Sequence, residues 1–383
     1  MTTSSRDIVL VGTGAFVTRD AHGPGVIARS LAQWCAESAD ASARRLVVVH
    51  RSATGRERFE REWKTIEAEN PNAPSLRFLE TGDAALADTV AAAQALFVCV
   101  PDPTHAEYVE LGIAARTPVW IVKPLTGEGR ASVALAEAAD ADDVPVWVDY
   151  HKRFDVSNRD LRATLDREAL GAPRLVSVRY SQPRNLPLDG FDWAGETDPF
   201  TYIGCHYVDQ LFYVMPGFEV EGVEAHGVRG PVHARHGGQA FDTVLARLDG
   251  RWRDRPVSAQ FEVGWSNPLG SPTKSLQIVE VACDQGRIFL DQMRRGSETW
   301  HDAGVAVQNP WFFSRVHDPL TGNARYQGYG QESIQHFLDF TEATPDRQVA
   351  MRANASLPWA REAARVDEVL DRVRAALATE RPD

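Results

Sequence analysis

Lys123, at the end of the apolar run Val119-Trp120-Ile121-Val122, and Tyr202 and His206, four residues apart, are the side chains of this sequence best suited to moving a proton. Oxidation of a secondary alcohol needs a base for the hydroxyl proton as hydride leaves carbon. The reverse reaction needs an acid for the developing alkoxide. A lysine ammonium can polarise the oxygen, and an imidazole gives or takes a proton near neutral pH. Positions i and i+4 of a helix share a face, so the Tyr202 phenol can point where His206 points. There it is either an acid assisted by the lysine or a substrate contact or packing residue. Upstream, Gly12-Thr13-Gly14 closes the apolar run Ile8-Val9-Leu10-Val11. Such a turn lets the backbone approach a pyrophosphate while the following helix offers unpaired N–H groups. Together the turn and the proton-carrying groups point to nicotinamide chemistry.

The glycine pattern is incomplete, because Val17 stands where a third glycine is usual and Gly23-Pro24-Gly25 comes late, before the helical spacing that starts at Val26. A longer phosphate loop follows from that. The second apolar run ends in His50-Arg51-Ser52, with Arg56 a turn further on. A carboxylate there would bind both ribose hydroxyls of NAD and repel a 2′-phosphate, whereas an arginine and a hydroxyl can bind that phosphate. NADP is the expected cofactor, with NAD also possible. The alternative is that Arg51 and Arg56 are solvated surface.

The elements that must position these residues read as alternating strands and helices. Continuous apolar runs at 8–11, 46–49, 96–100, 119–122 and 144–148 suit strands buried on both faces of a parallel sheet, with helical stretches between them. A doubly wound α/β domain over residues 1–150 is expected, with ligands beyond the carboxyl ends of its strands. From 151 to 383 the pattern changes to an α+β domain. Helical stretches at 158–165 and 206–214 accompany strand-like runs at 174–180, 220–228, 243–248, 257–263, 276–282 and 287–290, and helices close the chain at 333–340 and 358–377. A large, open, mostly antiparallel sheet follows. One face of it needs covering, which suggests a homodimer or homotetramer.

The chain has 383 residues, enough for two cores. Its net charge of −12 argues against a nucleic-acid surface, and no run nears the ~18 apolar residues of a membrane span. Cys35, Cys99, Cys205 and Cys283 are scattered, without metal-ligand spacing or a disulfide pattern, so no metal is expected. The start of the chain has no hydrophobic signal segment, which suggests a cytoplasmic protein.

The chain resembles the Gfo/Idh/MocA oxidoreductases over nearly its whole length. The resemblance rests on Gly12-Thr13-Gly14, Val100-Pro101-Asp102-Pro103-Thr104-His105, Val122-Lys123-Pro124, Tyr150-His151-Lys152-Arg153-Phe154-Asp155 and Gly204-x-His206-x-x-Asp209, in that order. It implies a Rossmann domain and an open-sheet second domain. It also implies NAD(P)-dependent conversion between a secondary alcohol and a ketone on a sugar, nucleotide sugar or cyclitol. Gly12, Thr13, Gly14, Ala15, Phe16, His50, Arg51, Ser52, Arg56, Pro101, Pro103, His105, Lys123 and Pro124 would hold the cofactor. Lys123 with His206 or Tyr202 would be catalytic. His151, Lys152, Arg153, Tyr202 and Asp209 would meet the substrate, with Asp209 orienting His206 or binding water. Two positions depart from the family: Val122 replaces a glutamate, and Tyr202 replaces the aspartate found four residues before the histidine. Reduction of an imine or a dihydrodiol-type substrate, and a non-catalytic sensor that binds NADP or sugar, are the alternative readings on the same fold.

Overall fold

A computed structural model describes residues 6–20, 23–38, 43–190, 192–302, 304–320, 322 and 324–379; the first five residues of the proposed signal-free start lie outside them. Its described residues form two compact units. One takes 1–126, 130–154 and 311–364, the other 127–129, 155–310 and 365–383.

In chain order the first part carries β1 (Ile8–Val11), the short β2 (Arg19–Asp20) and β3 (Gly23–Pro24), α1 (Val26–Glu37), β4 (Arg45–His50), α2 (Ala53–Glu69), β5 (Ser75–Glu80), α3 (Leu86–Ala92), β6 (Ala95–Val98), α4 (His105–Ala114), β7 (Val119–Ile121), α5 (Gly129–Ala141) and β8 (Val146–Val148). Six of these strands make one parallel sheet in the order β5-β4-β1-β6-β7-β8. The residues of β1, β6, β7 and β8 are buried throughout, as a parallel sheet covered on both faces requires. The chain reverses its winding at β1, where the sheet opens for a ligand. The edge strand β5 has no continuous apolar run, and only Leu79 in it is buried, so its sequence carries little strand signal.

The second part carries α6 (Val156–Asp166), β9 (Pro173–Pro183), α7 (Cys205–Val214), β10 (Glu219–Val228), α8 (Pro231–His236), β11 (Thr243–Trp252), β12 (Arg255–Asn267), β13 (Leu276–Cys283), β14 (Gly286–Asp291), β15 (Ser297–His301) and β16 (Gly304–Gln308). Its main sheet runs β10-β11-β12-β9-β13-β14, antiparallel except where β12 meets β9. All six strand-like runs of the sequence are strands in it.

A single boundary at residue 150 does not describe the chain. After β16 it returns through β17 (Ser314–His317), β18 (Ala324–Gln327), α9 (Tyr329–Thr341) and α10 (Pro345–Arg352) before α11 (Ala360–Ala378), and most of this segment belongs to the first unit. The cause is aromatic. Trp147 of β8 stacks on Phe154 with ring centroids 5.9 Å apart and meets the edge of Trp359 at 5.0 Å. Its indole N–H donates to Ser333 Oγ at 3.2 Å. Phe97 and Phe337 close the same cluster at 5.6 Å. Burying rings this large supplies the stabilisation that a six-stranded sheet without the segment would lack on that face.

Candidate active site

Gly12 sits beyond the carboxyl end of β1 with φ +108°, and a Cβ on it would lie 2.1 Å from the Cys99 carbonyl oxygen. Only glycine fits there. The loop that follows differs from expectation in one respect. The first amides of α1 are occupied, since Val26 N donates to Phe16 O at 2.9 Å and Ala28 N to Val17 O at 3.1 Å. They cannot also serve a phosphate. The open amides are earlier: those of Thr13, Gly14, Ala15 and Phe16 donate to no atom among the described residues, while Gly14 O accepts from Val17 N and Thr18 N at 3.1 Å each. Nothing stands within 4 Å of where a Gly14 Cβ would be. The loop therefore fits a pyrophosphate through its own tight turn.

At the end of β4, His50 is buried and its Nδ1 lacks a hydrogen-bond partner. Ser52 Oγ caps α2, accepting from Gly55 N at 3.2 Å. Arg56 is engaged by Glu60 at 2.8 Å and lies over the Phe78 ring, so it is not the free cation expected there. Arg51 is exposed and makes no hydrogen bond or ion pair among the described residues.

Four hydrogen bonds continue the parallel ladder past the strand ends: Gly12 N to Val49 O at 3.0 Å, Cys99 N to Val11 O at 2.8 Å, Val122 N to Val98 O at 3.0 Å and Asp149 N to Ile121 O at 2.7 Å. The glycine turn, the 99–105 loop, Lys123 and the Asp149–His151 segment thus rise from one carboxyl edge. His105 was expected to hold the cofactor. It is instead fully buried, with Nδ1 2.8 Å from Pro124 O and Nε2 3.0 Å from Val100 O, so its ring packs between the loops that follow β6 and β7. Near it, burial pushes the Asp102 carboxyl up, against the opposing charges of Lys123 and His105. Asp102 Oδ2 is buried without a hydrogen bond.

His151 Nδ1 is 3.0 Å from Asp149 Oδ2, with Asp149 2% exposed. The ring lies 5.3 Å from Phe312, 5.7 Å from Tyr329 and 6.4 Å from Phe16 of the glycine loop. Lys152 is 3% exposed. Arg153 is no open substrate contact, because its Nη1 donates at 3.2 Å to the carbonyls of Ala355 and Leu357 and ties down the returning segment. Asp102 lies in the loop motif quoted above but was assigned no role of its own, and Asp149 was assigned none either.

In the other unit the histidine helix begins earlier than expected. A π-type turn at Phe200–Gly204 leads into α7, and Asp198 caps it by accepting from Phe200 N at 2.7 Å, Thr201 N at 2.9 Å and Thr201 Oγ1 at 2.5 Å. Burial pushes the Asp198 carboxyl up, opposed by those hydrogen bonds and by Arg374. This cap fixes the start of the segment that carries Tyr202, His206 and Asp209. The Tyr202 ring meets the edge of Trp193 at 5.6 Å and tilts against Trp265 at 6.0 Å. His206 is 8% exposed and Asp209 fully buried.

Among the described residues no group of three or more His, Cys, Asp or Glu side chains is placed to hold a metal, and no helix is long and apolar enough to cross a membrane.

Residues 6–150 match the family model described as an oxidoreductase family with an NAD-binding Rossmann fold, and residues 158–289 match the GFO/IDH/MocA C-terminal domain. The chain is 26% identical over 204 residues to a myo-inositol 2-dehydrogenase of Thermotoga maritima, covering 52% of this chain and 57% of that protein. It is 32% identical over 219 residues to the myo-inositol dehydrogenase Hyg17 of Streptomyces leeuwenhoekii, covering 52% and 65%. It thus spans less than two thirds of either relative. Among solved structures, an oxidoreductase from Agrobacterium radiobacter in complex with NAD+, L-tartaric acid and magnesium superposes with a TM-score of 0.68 at 16% identity, covering 98% of this chain and 97% of that one. The scyllo-inositol dehydrogenase from Lactobacillus casei with bound NAD(H) and scyllo-inositol gives 0.65 at 16%, with the same coverage. At these identities the structures establish the shared fold.

Proposed function

Because the chain belongs to the Gfo/Idh/MocA family of oxidoreductases, we propose that it interconverts a secondary alcohol and a ketone on a cyclitol or related sugar, using a nicotinamide dinucleotide. The observation that carries this reading is the shared carboxyl edge: the open amides of residues 13–16 and the residue Lys123 follow the ends of β1 and β7 in one sheet. The names of the inositol dehydrogenases among its relatives supply the substrate class.

The cofactor, when bound, accepts or gives the hydride. Residues 13–16 hold its pyrophosphate by backbone N–H groups, and Gly12 lets the chain come close. Lys123 polarises the substrate oxygen, and Tyr202 or His206 exchanges that oxygen's proton. Arg51 meets a ribose 2′-phosphate, which gives preference for NADP while leaving NAD usable. Two copies or four associate through the outer face of the sheet of the second unit. There Arg247 pairs with Glu224 at 3.1 Å and Asp249 at 2.9 Å, a mixed-sign surface that can meet its own copy.

The test is reduction of NADP+ and NAD+ in the presence of inositol isomers and ketose–polyol pairs, followed by nicotinamide absorbance. Turnover on a cyclitol that disappears in Lys123→Ala supports the reading; dinucleotide binding with no turnover on any polyol or ketose overturns it.

A further inference from the structure

We infer that Arg58 is a positioning residue for the dinucleotide: it holds the Thr13 carbonyl toward α2 and so turns the Gly14 N–H of the same peptide toward the pyrophosphate. The inference rests on the dinucleotide-binding part of the reading above and names the side chain that orders the loop.

A trans peptide is planar, with its C=O and N–H pointing in opposite directions. Fixing the oxygen therefore fixes the hydrogen. Gly14 O is held from within the turn, by Val17 N, Thr18 N and Thr18 Oγ1 at 3.1 Å each, which turns the Ala15 N–H away from those groups. Thr13 O has no such support. Among the described residues no backbone N–H reaches it, and its one donor is Arg58 Nη2. Successive backbone N–H groups in a tight turn make a cradle for an oxyanion, and here the Gly14 member of the cradle depends on a single side chain. Gly14 borders open space, because a Cβ built on it would meet nothing within 4 Å.

Helix α2 brings the guanidinium to that carbonyl. Gly55, Arg58, Phe59 and Glu62 recur at helical spacing and share one face. Gly55 lets this face come close, since a Cβ there would lie 2.7 Å from Thr13 Oγ1. Phe59 is buried and stacks on Trp63 at 5.6 Å, while Glu62 pairs with the buried Arg29, whose Nη1 donates to Thr18 O at 3.1 Å. Arginines from two helices thus take one carbonyl each, Thr13 O and Thr18 O. The Arg58 contact is charge-assisted, so it polarises the peptide and makes its N–H a stronger donor to a phosphate oxygen. The pyrophosphate is common to NAD and NADP, so Arg58 serves both.

The peptide is read without turnover. Protein with isotope-labelled threonine carbonyls and glycine nitrogens reports by NMR only its five Thr–Gly peptides, and Gly14→Ala identifies Thr13–Gly14. That resonance should shift in Arg58→Ala while Thr81–Gly82 stays in place. In fluorescence titrations Arg58→Ala should bind NAD+ and NADP+ each roughly tenfold more weakly, with Arg58→Lys between it and the wild type. A loss confined to NADP+ would make Arg58 a 2′-phosphate ligand and overturn the inference, as would an unmoved Thr13–Gly14 resonance. If the wild type binds neither dinucleotide, the proposed function fails and the role of Arg58 falls with it; wild-type binding that Arg58→Ala leaves unchanged overturns the inference alone.

Discussion

His105 Nδ1 lies 2.8 Å from the carbonyl oxygen of Pro124, while Nε2 lies 3.0 Å from that of Val100. The ring spans the two loops that follow β6 and β7, so the residue next to Lys123 is held by a side chain that is fully buried. Removing it leaves two carbonyls facing a cavity. His105→Ala should lower the unfolding free energy by about 2–4 kcal/mol in denaturant titrations. Turnover should fall as well, because the position of Lys123 depends on that brace; unchanged stability would mean that the ring bears no load.

Gly12 combines φ +108° with the closest backbone approach at the turn, to Cys99 O. In Gly12→Ala the new methyl must displace β1 or β6. A loss of at least ~2 kcal/mol is expected, with weaker binding of either dinucleotide by fluorescence titration. Gly14→Ala meets no neighbour in the protein alone. It should fold normally and lose dinucleotide affinity selectively, because its methyl fills the space left for the phosphates.

Cofactor choice separates Arg51 from its neighbours. Arg56 already serves Glu60 and Phe78, so Arg51→Ala should reduce kcat/KM for NADP+ by roughly tenfold or more, the value of one charge-assisted phosphate contact, and leave that for NAD+ within about twofold. Equal losses with both dinucleotides would remove Arg51 from the 2′-phosphate site.

Asp198 gives a pH signature. Burial raises its pKa from the ordinary 3.8, so the folded protein holds a proton that the unfolded chain has released. The resulting stabilisation is complete below 3.8 and is lost as pH rises through the folded value. Asp198→Asn cannot ionise. The stability of the wild type minus that of the variant should therefore fall with rising pH over that interval, measured by thermal unfolding; a difference that grows with pH would contradict the buried cap.

The parts of this molecule that sequence makes visible are those governed by local pattern. Ile8–Val11 and Ala95–Val98 are continuous apolar runs because both their faces are covered, and Thr243–Trp252 of the second sheet alternates because only one of its faces is packed. Lys123 stood out for the reverse reason, as a charge where the pattern expects none. What depends on distant contacts stayed hidden. Nothing near Trp147 announces that Ser333 and Trp359 will return to it. Arg153 has the composition of a substrate contact, yet the carbonyls of Ala355 and Leu357 claim it, and Asp149 acquires meaning only when His151 folds back onto it. The capping role of Asp198 shifted the helix start to Phe200, upstream of where hydrophobic spacing put it.

The most direct measurement is steady-state turnover of inositol isomers by wild type and Lys123→Ala, alongside dinucleotide binding to both. The account predicts dinucleotide-dependent oxidation of at least one isomer by the wild type, and a loss of kcat of about a hundredfold or more in the variant while the dinucleotide still binds. A variant that turns over as fast as the wild type would contradict it.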